Sequence, residues 1–174
     1  MIKSLLNKKV LVFCVVLASF LLISCESGQN KSESKTSELS GEKVEGLKTI
    51  GMPGLNELKE KYSDKIILVN FFASWCPPCK EETPEFIEVY NANKDKFVII
   101  GLSIDDSKKD AVNFINDMGI TYPVFHAKRS LEKRLNVTGV PTNIFYAPGG
   151  DLYNFYVGAL SKDFVEKAIA QISG

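Results

Sequence analysis

The sequence predicts an α/β fold in which a central mixed β-sheet is flanked by helices. Two continuous apolar runs, Ile66–Phe72 and residues 97–104, have the length and composition of buried strands. Segments with helical periodicity alternate with these runs, as expected for a layered α/β domain. Near the C-terminus, the turn sequence at residues 147–151 (Ala-Pro-Gly-Gly-Asp) separates two further strands and predicts a hairpin, which makes the sheet mixed.

The spacing of apolar side chains predicts the remaining elements in chain order. Helices are expected around residues 55–62, 77–93, 108–118, 131–135 and 162–172. Ser107 with Asp110 is a plausible capping signal for the third helix, Gly119 ends it, and Ser161 caps the last one. Strands at residues 124–125, 142–146 and 152–157 complete the order α, β, α, β, α, β, α, β, β, α.

Composition favours one folded domain without nucleic acid as a partner. The chain has 174 residues, with 21 basic and 21 acidic side chains. This balanced charge and the lack of a long basic run argue against nucleic-acid binding. We expect a monomer that needs no cofactor and no metal.

Residues 1–24 have the pattern of a signal peptide. Lysines at positions 3, 8 and 9 precede an apolar run at residues 10–23, which is shorter than the roughly 20 residues that a membrane-spanning helix needs. The sequence Leu22-Ile23-Ser24-Cys25 resembles the lipobox of bacterial lipoproteins, in which the cysteine becomes the lipidated N-terminus after cleavage. This predicts a protein that is lipid-anchored in the bacterial cell envelope. The alternative is an uncleaved anchor with Cys25 as an ordinary thiol.

Residues 25–46 are predicted to be the lipidated cysteine and a flexible tether. Beyond Cys25 they are mostly Ser, Glu, Lys, Gly and Asn, and such a segment buries too little apolar surface to offset its conformational entropy. The folded domain is expected at residues 47–174. Cleavage would also remove Cys14, which leaves Cys76 and Cys79 as the free thiols of the mature chain.

The stretch Trp75-Cys76-Pro77-Pro78-Cys79 lies where a predicted strand meets a predicted helix. Unpaired N–H groups and the helix dipole favour a thiolate at this position. We therefore expect an exposed Cys76 to attack a target disulfide and Cys79 to resolve the mixed disulfide. The alternatives are an inert structural disulfide, or a zinc half-site, for which the sequence offers no second Cys or His pair.

Three separated segments together resemble the thioredoxin-fold proteins. They are the strand leading into Trp75-Cys76-Pro77-Pro78-Cys79-Lys80, the sequence Gly139-Val140-Pro141-Thr142, and residues 157–162 (Val-Gly-Ala-Leu-Ser-Lys). The Cys-Pro-Pro-Cys motif, the Lys-x-Glu-x-Pro that follows it and the lipobox resemble the TlpA/ResA-like branch. Members of that branch are membrane-tethered thiol-disulfide oxidoreductases, several of them reductants in cytochrome c maturation.

The resemblance implies a target-binding surface beside the dithiol. Pro141 is expected to be cis, so that Val140 offers its backbone to an incoming peptide. Trp75 is expected to form a partly exposed wall of this surface, with a simple core aromatic as its alternative. Pro77 and Gly158 are placed on the same surface.

The resemblance also implies a role for Glu82, since a glutamate at this position in related proteins is implicated in moving the proton of the resolving cysteine. Its alternative is a solvated charge on an acidic helix. Classical thioredoxins carry a buried Asp where this chain has Asn70, and Asn cannot exchange a proton. His126 is expected to be a surface residue at a strand end without a catalytic role.

The expected direction of electron flow is reduction of protein disulfides. Pro77 and Pro78 lack N–H donors for the Cys76 sulfur, and Glu81 and Glu82 disfavour a second anion nearby. A reductant outside the cytoplasm needs an integral-membrane electron donor, which a lipid anchor would keep close. The alternatives are an exported oxidase or isomerase, and a surface lipoprotein that binds a partner and has a merely structural Cys pair.

Overall fold

The computed structural model describes residues 44–174, which form six strands and five helices. The predicted signal peptide, Cys25 and most of the predicted tether lie outside these described residues. In chain order, the elements are β1 (Thr49–Ile50), α1 (Met52–Lys61), β2 (Ile66–Phe72), α2 (Pro77–Ala92), β3 (Phe97–Ser103), α3 (Lys108–Met118), β4 (Val124–Ala127), α4 (Arg129–Arg134), β5 (Thr142–Tyr146), β6 (Leu152–Val157) and α5 (Lys162–Ser173).

The six strands form one mixed sheet in the order β1-β4-β3-β2-β5-β6. The first four strands in this order run parallel to one another, whereas β5 is antiparallel to both β2 and β6. The hairpin predicted at residues 147–151 joins β5 to β6, and the predicted thioredoxin fold is confirmed. Strands β2 and β3 are buried along their whole length, as expected for parallel strands covered on both faces.

Both faces of the sheet carry a hydrophobic core. Alternate residues of β2 point to opposite faces, so Leu68 belongs to one core and Val69 to the other. The first core contains the buried side chains of α2, α3 and α5, and the second contains those of α1 and α4. This sandwich fixes the C-terminal end of β2, from which the candidate site is built.

Strand β1 was not predicted. Its two residues pair in parallel with β4, where Thr49 lies opposite His126. Two residues are too few to show the alternation that reveals a strand. Val44, which we had placed in the tether, is buried, and the side chain of Asn116 donates to its carbonyl and accepts from its N–H. The packed region therefore includes Val44.

The predicted helix ends are mostly confirmed. Ser161 accepts a hydrogen bond from the N–H of Phe164 at 3.3 Å, and Gly119 ends α3 in the left-handed conformation. Ser107 occupies the N-cap of α3, but its side chain makes no capping bond. No helix within residues 44–174 has the length and apolar character required to cross a bilayer.

Candidate active site

The two cysteines lie at the N-terminus of α2, as predicted. β2 ends at Phe72, Cys76 is the N-cap of α2, and Pro77 opens the helix. Proline is favoured at the first helical position because its φ is already helical and its missing N–H would have no intrahelical partner. Cys76 and Cys79 are joined by a disulfide with a Cα–Cα distance of 5.3 Å.

One backbone donor of the first helical turn is bonded to the Cys76 sulfur. The N–H of Cys79 donates to it at 3.3 Å. Residues 77 and 78 are prolines, so neither supplies an N–H. The helix N-terminus therefore stabilises a thiolate at Cys76 less than an uninterrupted set of N–H groups would.

The expectation of an exposed Cys76 is wrong for the disulfide form. Cys76 is 2% exposed and Cys79 is fully buried, and both belong to the core that includes Phe72 and Ala73. The cause is that the capping geometry turns the Cys76 sulfur toward the helix end and Cys79. Trp75, by contrast, is 63% exposed, so it is not a core aromatic, and Pro77 is also exposed.

A buried carboxylate supports the loop in front of the cysteines. Asp105 follows β3 and accepts hydrogen bonds from the N–H and the hydroxyl of Ser74, at 3.0 Å and 2.6 Å. It also accepts from the hydroxyl of Ser103 at 2.8 Å. Asp105 was not predicted as a site residue. Its only signal was an acidic residue at the C-terminal end of a buried strand, the edge where open α/β sheets place their sites.

The second loop of the site contains the cis-proline. The Val140–Pro141 peptide bond is cis, as predicted. Val140 packs against the core that holds both cysteines. The carbonyl of Pro141 accepts a hydrogen bond from the N–H of Gly158 at 2.8 Å. Gly158 has a φ of 112°, a conformation that favours glycine because it has no Cβ.

Glu82 is a buried carboxylate in α2, not a solvated charge. It is 3% exposed and lies one helical turn after Cys79. Its Oε1 accepts from Nδ2 of Asn70 at 2.8 Å, and its Oε2 accepts from the N–H of Leu160 at 3.1 Å. Burial raises the pKa of Glu82 to about 7, although these donors act in the opposite direction.

Two buried asparagines from neighbouring strands surround this carboxylate. Asn70 in β2 lies directly opposite Asn143 in β5, and its Nδ2 also donates to Oδ1 of Asn143 at 2.9 Å. Nδ2 of Asn143 lies 3.4 Å from Oε2 of Glu82. Asn70 was expected only as a departure from the thioredoxin pattern, and Asn143 was not predicted as a site residue.

His126 lies within β4 and is half-buried, which differs from the expected surface position at a strand end. Its Nε2 is 2.7 Å from the backbone carbonyl of Asp105, whereas its Nδ1 is buried without a hydrogen-bond partner among the described residues. The histidine thus contacts the backbone of the segment that contains Asp105. None of its hydrogen bonds reaches a cysteine or the cis-proline.

Comparison with known proteins relates the chain to one family. The family model described as Thioredoxin-like matches residues 63–151, slightly more than half of the chain. Thiol-disulfide oxidoreductase ResA of Oceanobacillus iheyensis is 35% identical over 111 residues, which are 63% of this chain and 58% of that protein. Thioredoxin-like protein YneN of Bacillus subtilis is 25% identical over 150 residues, which are 84% of this chain and 81% of that protein. The chain thus matches less than two thirds of the length of the ResA relative.

A solved structure extends the similarity to three dimensions. The crystal structure of a thiol:disulfide interchange protein of the thioredoxin family from Chlorobium tepidum superposes with a TM-score of 0.63 at 28% identity. The alignment covers 67% of this chain and 85% of that chain. The sheet and flanking helices described above are therefore shared with a protein of that name.

Proposed function

The chain belongs to the thioredoxin-like family, and from this premise we propose that it is a thiol-disulfide oxidoreductase that reduces disulfides of exported proteins from a lipid anchor at the cell membrane. The observation that carries the proposal is the Cys76–Cys79 disulfide at the N-terminus of α2. Val140 of the cis-proline loop packs against the same core as these cysteines. We assign this loop, as the peptide-binding element, to the same site as the dithiol.

The reaction is a two-step thiol-disulfide exchange that needs no cofactor. In the reduced protein, the Cys76 thiolate attacks one sulfur of the target disulfide, which breaks the target S–S bond and releases one target thiolate. Cys79 then attacks the sulfur of Cys76, which releases the second target thiol and forms the Cys76–Cys79 disulfide. Two electrons pass from the dithiol to the target, and the disulfide form described here is the oxidised product.

Glu82 accepts the proton that Cys79 must lose before the second step. The side chain lies one turn after Cys79 and is shielded from solvent. Burial raises its pKa to about 7, and a general base is most effective when its pKa lies near the working pH. Asn70 cannot take this role because an amide does not titrate, and the carboxylate of Asp105 accepts hydrogen bonds from Ser74 and Ser103. We therefore assign the role to Glu82.

The direction of electron flow follows from the same helix end. A couple becomes more oxidising when its thiolate form is stabilised. Pro78 withholds one of the two usual backbone donors to an N-cap side chain from Cys76, and the N–H of Cys79 is the bonded donor that remains. This weak stabilisation of the reduced form favours a reductant over a strong oxidant.

The proposed location rests on the N-terminal sequence, which lies outside the described residues. The apolar run and Leu22-Ile23-Ser24-Cys25 favour export and lipidation at Cys25. Residues 26–43, the part of the predicted tether before the packed Val44, would span roughly 20 to 25 Å as a flexible coil. That distance keeps the domain near the membrane, where an integral-membrane donor can recharge the dithiol.

Two measurements on the purified full-length chain in detergent test this function. Reduction of insulin disulfides should proceed with the wild type and stop with Cys76→Ser; a wild type without activity would instead favour a partner-binding protein with a structural Cys pair. Equilibration with glutathione buffers measures the potential, and a strongly oxidising value would favour an exported oxidase or isomerase. Substrates can be identified as mixed disulfides trapped in cells by Cys79→Ala.

A further inference from the structure

Asn143 uses every hydrogen-bonding group of its side chain inside the protein. The residue lies in β5 just after the cis-proline and is 0% exposed. Its Oδ1 accepts from Asn70 at 2.9 Å, while its Nδ2 donates to the carbonyl of Gly158 at 3.1 Å and lies 3.4 Å from Oε2 of Glu82. An amide nitrogen has two hydrogens, so these contacts use both.

The orientation of the Asn143 amide is determined by its partners. Nδ2 of Asn70 can only donate, and it gives its hydrogens to Glu82 and to Asn143. If the Asn143 amide were reversed, its nitrogen would face the nitrogen of Asn70, and its oxygen would face the carbonyl of Gly158. Both contacts are repulsive, and leaving buried polar groups unpaired is costly. The three side chains therefore form one network with a single arrangement.

We propose that Asn143 is a positioning residue for Glu82: its amide links the carboxylate to the Gly158–Leu160 segment and, together with Asn70, holds it in one orientation. The inference rests on the proposed function, in which Glu82 takes the proton of Cys79. The Leu160 N–H donates to the same oxygen, Oε2, at 3.1 Å. The network thereby ties α2 to the chain segment whose Gly158 bonds to the cis-proline.

The groups around Glu82 predict what the network does to its protonation. Asn70, Asn143 and the Leu160 N–H all present donors, which stabilise the carboxylate and oppose the rise in pKa caused by burial. The hydrogen bonds that β2 and β5 make to Glu82 come from the side-chain amides of Asn70 and Asn143. On α2 itself, Glu81 is exposed and Glu85 bonds to the N–H of Lys162.

One further titratable side chain faces Glu82 from the segment before β4. Tyr122 is buried, and its pKa is raised by burial and, to a smaller extent, by the charge of Glu82. The phenol is therefore neutral near pH 7. Removal of the Asn143 donor should therefore mainly raise the pKa of Glu82.

The test measures the titration of Glu82 directly. In the full-length oxidised protein labelled with ¹³C at the glutamate carboxyl carbons, the Glu82 resonance is assigned by its loss in Glu82→Gln. We expect a midpoint near 7 in the wild type and a midpoint about one pH unit higher in Asn143→Leu. Asn154→Leu is the matched control, because Asn154 is exposed on β6 and bonds to Tyr156; its midpoint should stay at the wild-type value.

A second variant covers the case in which Asn143→Leu fails to fold. Asn143→Ala removes the donor with a smaller side chain and adds no second acid, so the Glu82 midpoint should again rise. A midpoint equal to that of the wild type in a folded Asn143 variant would overturn the proposal.

A kinetic measurement separates this proposal from the proposed function. If Glu82 is the base for Cys79, Asn143→Leu should slow resolution of the mixed disulfide about fivefold at pH 7 and leave the rate unchanged near pH 9, where Glu82 is ionised in both proteins. A shifted Glu82 titration without this pH-dependent rate would support the positioning role and reject Glu82 as the base. If the role of Asn143 were merely structural, its variants would lower the stability of the protein without changing the Glu82 midpoint or the pH dependence of the resolution rate.

Discussion

The position of two prolines at the start of α2 makes the redox potential of this protein open to a specific test. A side chain at the N-cap can accept from the N–H of the second or third helical residue. Here Cys76 accepts from the third, Cys79, whereas the second is Pro78 and has no N–H. Pro78→Ala restores that donor without adding a charge. Pro78→His restores the same donor and adds a group that can be cationic near the sulfur.

The size of the expected change follows from the worth of one hydrogen bond. A hydrogen bond to a charged group contributes about 1.5 to 3 kcal/mol, and about 1.4 kcal/mol corresponds to about 30 mV for this two-electron couple. Pro78→Ala should therefore make the couple more oxidising by about 30 to 65 mV. Pro78→His should shift it further in the same direction, because a nearby cation also favours the Cys76 thiolate.

Equilibration of each variant with a series of glutathione buffers measures these potentials. Pro77→Ala is the matched control: it also replaces a proline with alanine, but it restores the N–H of the first helical residue, which is not one of the usual donors to an N-cap side chain. Its potential should stay near that of the wild type. If Pro78→Ala keeps the wild-type potential or becomes more reducing, the missing donor does not hold this protein on the reducing side.

Three further predictions concern single side chains. Cys76→Ser should abolish insulin reduction, because it removes the attacking thiolate, and retained activity would assign the nucleophile elsewhere. Metabolic labelling with a radioactive fatty acid should mark the wild type and not Cys25→Ala; labelling of both, or of neither, contradicts lipidation at Cys25. The free energy of unfolding of the wild type should fall relative to Glu82→Gln by about 3 kcal/mol as pH rises from 4.5 to above 7, because the folded state holds the Glu82 proton up to a pKa of about 7. Urea titrations at several pH values measure this difference. If the free energies of unfolding of the two proteins changed with pH in parallel, the pKa of Glu82 would not be raised in the folded state.

The fold could be predicted because its signals are local. The strands at the centre of the sheet are continuous apolar runs, and the helices show apolar side chains at helical spacing. The position of Cys76 at a helix N-cap followed from one strand, one motif and one proline. β1 has no such signal, because its two residues become a strand only by pairing with β4.

The candidate site was less predictable where its contacts are long-range. The Glu82 network joins residues from β2, α2, β5 and the loop before α5, which are far apart in the sequence. A glutamate in an acidic helix can face solvent or the core, and the sequence of α2 did not decide between the two. Asp105 and Asn143 were missed for the same reason, since the groups that they position lie elsewhere in the chain.

The asparagine in β2 and the glutamate in α2 depend on each other. Asn70 first looked like the loss of a proton-transferring group, but its Nδ2 lies 2.8 Å from Oε1 of Glu82 and donates to it. A carboxylate in place of this amide would set two buried acids side by side, and repulsion between them would strongly raise the pKa of one. A donor at position 70 is therefore what allows an acid at position 82 to ionise near pH 7. The strand supplies the hydrogen bond and the helix supplies the carboxylate; under the proposed function, the two positions together would do what a single buried aspartate in the strand would otherwise do.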